Sequence, residues 1–129
     1  MTESIVFVSH FRVKEGKLDG LKRLSQEVLG RLEADKPRTT AQLAYLNDSG
    51  TEMSFVHVFA DATAMDLHFQ GAEERSGAAY EFMDPAGWEI YGRPSDATLE
   101  MMRQAATSAN VALTVQSEYL GGFLRIPSA

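Results

Sequence analysis

Residues 55–68 read FVHVFADATAMDLH, an alternating apolar strand that turns at Asp61 straight into a helix. Phe55, His57 and Phe59 fall on one face of the strand, and Asp61 is placed to accept hydrogen bonds from the unpaired amides that open the helix. Met65, Phe69 and Ala72 then point inward, while Gly71 and Gly77 weaken the helix and predict a kink or a second piece ending near Met83. A strand that feeds directly into a covering helix commits the chain to a small α+β domain, and the other segments agree with it.

Residues 5–13 are largely apolar on both faces, as in a central strand, and Lys14-Glu15-Gly16 turns the chain. Across residues 17–34, Leu18, Leu21, Leu24, Val28, Leu29 and Leu32 recur at helical spacing. That helix stops at Asp35-Lys36-Pro37, because proline disfavours helical geometry in the residue before it. Residues 41–46 and 53–59 predict a hairpin around Asn47-Asp48-Ser49-Gly50. Asp84-Pro85-Ala86-Gly87 reads as a breaker and residues 88–91 as a short strand. Ser95 caps a helix over residues 95–108, and residues 111–119 read as a last strand.

This order predicts a ferredoxin-like βαββαβ antiparallel sheet with an added C-terminal helix and strand. Right-handed crossovers put both main helices on one face and leave the other bare. A soluble monomer seldom exposes an apolar patch beyond a few hundred Å². A second copy packed face to face about a two-fold axis removes the problem, giving a dimeric α+β barrel whose first partner is itself.

The 129 residues fit one domain, 1–129, with the added helix and strand near 95–120. An apolar fraction of 44% against 23% charged residues is that of an ordinary globular chain. A net charge of −6 disfavours sequence-independent binding to nucleic acid, which needs a basic surface, and would repel anionic lipid. Without cysteine there is no disulfide framework, thiolate metal site or cysteine nucleophile. The start lacks the pattern of a signal peptide and no apolar run is long enough to span a bilayer, so a cytoplasmic location is expected.

Residues 59–68, FADATAMDLH, resemble the strand-to-helix signature of the antibiotic-biosynthesis monooxygenase family, in which an aromatic residue ends the third strand and alanine and histidine follow at these spacings. Val13-Lys14-Glu15-Gly16 is similar to that family's first turn, and the likeness covers about residues 5–71. It implies the dimeric α+β barrel superfamily, which includes cofactor-free oxygenases, haem-degrading monooxygenases and isomerases with pockets between sheet and helices. The pattern is departed from at Phe59, where tryptophan is common, and at Ser9, where several members carry asparagine. His68 stands where haem degraders have tryptophan, and Ala78 where their iron-ligating histidine is sought, which argues against haem degradation.

His68 is the candidate base, able to take a proton from a phenol or enol whose carbanion then reacts with dioxygen without a cofactor. His57 or Ser9 would orient the substrate, and Phe7, Phe11, Tyr45, Phe59, Phe69 and Tyr80 would line a pocket for a small hydrophobic or aromatic ligand. His10, sharing its face with Arg12, is expected to have a polar role inside the barrel. Each histidine also has a plain structural reading, as a ring satisfied by a neighbouring backbone group. The histidine spacing calls for no metal, and neither a phosphate-binding loop nor a nucleophile elbow occurs. Two functions follow: a cofactor-independent monooxygenase or isomerase acting on a small aromatic or polyketide-like molecule, or a non-catalytic homodimer that binds a ligand or partner. The space between sheet and helices, open or packed shut, separates them.

Overall fold

The computed structural model describes residues 3–125. The chain runs β1 (Ile5–Val13), α1 (Leu18–Asp35), β2 (Thr39–Leu46), β3 (Glu52–Phe59), α2 (Ala62–Phe69), α3 (Ala72–Ala79), β4 (Met83–Tyr91), α4 (Asp96–Ala109) and β5 (Leu113–Gln116). The strands form one sheet in the order β2-β3-β1-β4-β5. Neighbours are antiparallel except for the β4–β5 pair, which is parallel. Strands β1 to β4 with their helices make the expected ferredoxin-like unit, and α4 with β5 extends it.

One face of the sheet carries the core. Ile5, Phe7, Phe59, Trp88 and Ile90 meet Ala64 and Met65 of α2 and Met102 and Ala106 of α4. A second cluster joins Phe11, Met53 and Met83 to Leu21 of α1. Phe59, Ile5, Leu21, Met65 and Ile90 are almost fully buried, each side chain contributing about 1.5–3 kcal/mol. Among the described residues the opposite face has no helix on it: Val6, Val8, Val56 and Val58 are half-buried there, while Leu43 is 48% and Tyr45 58% exposed. Tyr45 is therefore not a pocket residue, because the two-residue alternation of β2 turns it away from the face that carries Gln42.

The helix starts follow the sequence. Asp61 accepts a hydrogen bond from the Ala64 amide at 2.8 Å and Ser95 one from the Thr98 amide at 3.2 Å. Other boundaries move. Asp84 to Gly87 does not break the chain but belongs to β4, whose register against β1 shifts between His10 and Phe11. A bulge absorbs the extra residue, and Pro85 is tolerated because β5 pairs only with the stretch from Trp88 to Tyr91. The expected second helical piece ends at Ala79 rather than near Met83, and the last strand spans only Leu113–Gln116.

Candidate active site

A cavity of about 550 Å³ lies between the inner face of the sheet and the helices. Its sheet wall includes Phe7, Ser9, Phe11, Gln42, Phe55, His57 and Trp88, and its helical wall includes Leu24, Val28 and Leu29 of α1, His68 and Phe69 of α2, Arg75 and Ala79 of α3, and Tyr80. Leu24, Val28 and Leu29 belong to the stripe that periodicity reads as core, yet they remain half-buried because they face this space. The size suits a drug-sized molecule, for which sites run roughly 300–1,000 Å³.

Two imidazoles meet in the wall. His57 on β3 and His68 in the last turn of α2 are both buried, with ring centroids 5.3 Å apart and planes at 74°. Phe7 packs 4.9 Å from His57, and Phe59 lies 5.1 Å from His68 and stacks on His57. Phe69 adds an edge contact to His68. Phe59 thus supports both rings from behind and does not line the cavity, whereas Phe7, Ser9, Phe11, His57, His68, Phe69 and Tyr80 do.

Hydrogen bonding assigns the tautomer of His57. His57 Nδ1 lies 3.0 Å from the Phe7 carbonyl oxygen. A carbonyl only accepts, so Nδ1 carries the proton and Nε2 keeps its lone pair. His68 Nδ1 lies 2.7 Å from the Thr39 hydroxyl. A hydroxyl both donates and accepts: with Thr39 donating, Nδ1 accepts and the proton of His68 lies on Nε2, and with Thr39 accepting it lies on Nδ1.

Both rings are held neutral. Burial lowers the His57 pKa to about 4, against the raising effect of the Phe7 carbonyl, and the Arg75 cation lowers it further. Burial lowers His68 to about 3, with His57, Arg75 and Lys36 adding to the effect. The neutral His57 ring therefore offers a lone pair at Nε2, and His68, with Thr39 donating to it, an N–H beside it in the wall of an apolar cavity.

The supporting residues sit at turns of the chain, one of them the kink expected at Gly71. Gly71, at φ +84°, ends α2 and redirects the chain into α3. Arg75 then reaches back to donate to the His68 carbonyl at 2.7 Å and the Gln70 carbonyl at 3.1 Å. Thr39 precedes the expected start of its strand. Gln42, not among the residues singled out from sequence, faces inward from β2 opposite His57, and its Oε1 is buried with no partner among the described residues. His10 lies on the other face of the sheet, bonded to Ser54 at 2.8 Å and Glu89 at 2.7 Å. Among the described residues no three histidine, aspartate or glutamate side chains group to hold a metal ion, and no helix is long and apolar enough to cross a membrane.

Neither a family model nor a curated protein matches the sequence. Solved structures do match. MupZ from Pseudomonas fluorescens is 15% identical, with 95% of each chain covered and a TM-score of 0.71, so that likeness takes in α4 and β5. SnoaB, a cofactor-independent oxygenase from Streptomyces nogalater, is 14% identical over 72% of this chain and 95% of its own, at a TM-score of 0.58. A candidate antibiotic biosynthesis monooxygenase from Caulobacter crescentus is 14% identical over 69% of this chain and 88% of its own, at 0.60. At such identities the likeness establishes the fold, and this chain has the fold of the antibiotic biosynthesis monooxygenase-like proteins. The resemblance read from residues 59–68 holds at that level.

Proposed function

We propose that this chain is a homodimeric, cofactor-independent monooxygenase acting on a small aromatic or polyketide-like molecule in the cavity. The observation that carries the reading is the pair of neutral imidazoles, His57 with a bare Nε2 beside His68, set in one apolar wall, and we take Thr39 to donate to His68 Nδ1 so that its Nε2 carries the proton. In the roles we assign, His57 Nε2 takes a proton from an activated C–H or O–H of the substrate, and His68 donates to the oxygen on which negative charge develops. This reverses the roles expected from sequence, because the Phe7 carbonyl fixes the free lone pair on His57. Charging that ring also strengthens its bond to the carbonyl, which steadies the imidazolium.

The substrate anion then reduces dioxygen itself. A CH₂ group becomes C=O, one oxygen atom stays on carbon and the other leaves as water with the two hydrogens removed, so no external reductant enters. SnoaB, which shares the fold, is a cofactor-independent oxygenase. The dimer is supported by the uncovered sheet face, on which Leu43, Tyr45 and the valines of β1 and β3 lie in rows that a second copy would bury.

Oxygen uptake with a panel of hydroquinones and anthrones tests the reaction in the wild type, His57→Gln and His68→Gln. We expect turnover by the wild type, a fall of about 10²–10⁴-fold in kcat for His57→Gln, and a smaller one for His68→Gln. Substrate rearrangement without oxygen uptake would make the enzyme an isomerase. No turnover, or equal turnover in all three proteins, would overturn the catalytic reading in favour of a ligand-binding dimer.

A further inference from the structure

The cavity holds a cation whose charge the protein leaves unanswered. Arg75 lines the apolar space, is half-buried, and takes part in none of the ion pairs formed among the described residues. Glu73, on the same helix and also at the cavity, is exposed and does not pair with it. Removing a guanidinium from water without a counter-ion is unfavourable, and burial accordingly lowers the Arg75 pKa.

Capping the end of α2 accounts for only part of the residue: Arg75 serves the His68 carbonyl, but its second bond is redundant. Lys36 already bonds the Leu67 carbonyl at 2.9 Å and the Gln70 carbonyl at 3.0 Å, so Gln70 receives two cations where one would serve. Arg75 spends only part of its planar donor fork on the His68 and Gln70 carbonyls, which leaves further N–H groups free. Those bonds hold the fork rigid. A fixed guanidinium with spare donors suits the flat, bidentate geometry of a carboxylate.

We infer that the ligand of this cavity is an amphiphilic acid, its carboxylate held by Arg75 and its apolar body lying against the Leu24, Val28 and Leu29 stripe and Trp88. The inference rests on the cavity being the substrate site proposed above and names the substrate class.

Calorimetric titration with 2-naphthoate and with 2-naphthamide, its neutral counterpart of nearly the same shape, tests it without turnover. The wild type is expected to bind the acid at least roughly tenfold tighter than the amide. Arg75→Gln should erase that preference and Arg75→Lys retain part of it. Equal binding of acid and amide by the wild type, binding of neither, or a preference that survives in Arg75→Gln would overturn the inference. The wild-type comparison stands even if the variants fold poorly. Acid preference without histidine-dependent turnover would overturn only the proposed reaction, and turnover without acid preference only the carboxylate anchor.

Discussion

The hydroxyl of Thr98 donates to Asp66 Oδ1 over 2.6 Å, and this short bond ties the first turn of α4 to α2 just before His68. Ser95, the cap of α4, donates to the same oxygen at 2.7 Å. The C-terminal helix is therefore fastened to the helix that carries a site histidine.

Asp66→Ala should cost about 1.5–3 kcal/mol of folding stability, the range for hydrogen bonds to a charged group. Asp66→Asn, which keeps an acceptor oxygen, should cost less. Urea unfolding of both variants against the wild type checks the order, and equal stability of all three would show that the two hydroxyls find water as readily.

The neutral histidines give folding a dependence on pH of definite sign. His57 and His68 titrate near 4 and 3 in the folded chain and near 6.5 when unfolded, so between those values the unfolded chain binds more protons. Their contribution is complete above pH 6.5 and is lost as pH falls, by about 1.4 kcal/mol per pH unit for each ring that stays neutral. Glu89, held low by its bonds to His10 and Tyr91, loses its share only below the ordinary carboxylate value of 4.5, which leaves the interval above it to the histidines. Unfolding free energies between pH 4.5 and 6.5 should slope steeply in the wild type and less so in His57→Gln. Parallel slopes would mean that His57 is charged when folded.

The fold was readable because its signals are local and periodic. Asp61 and Ser95 cap helices where their hydroxyl or carboxylate chemistry says they should, and the central strand is apolar on both faces. Misreadings arise where a long-range pairing overrides a local preference. Pro85 and Gly87 are breakers in isolation, yet the bulge against Phe11 draws them into β4. Tyr45 could have been excluded from the pocket by its alternation with Gln42 and Leu46. The α1 stripe looks the same in sequence whether it meets a packed core or an open cavity. Arg75 and Thr39 carry no sequence signal, since their roles depend on the turn at Gly71 and on which hydroxyl reaches a histidine across the fold.

The proposed dimer puts Val56 at the middle of the uncovered face, opposite Val8 on one side and Leu43 on the other. Val56→Asp would leave an unpaired charge in that interface. Sedimentation at micromolar concentration should show a dimer for the wild type and a folded monomer for the variant. A wild-type monomer would refute the second copy as the cover for this face.

The neutral donor–acceptor pair itself can be observed without a substrate, by nitrogen-15 NMR of histidine side chains in the wild type at pH 7. His57 should show a protonated Nδ1 and a bare Nε2, and His68 the opposite pattern, with neither ring charged. A cationic ring at pH 7, or a bare Nδ1 on His57, would contradict the account of this site.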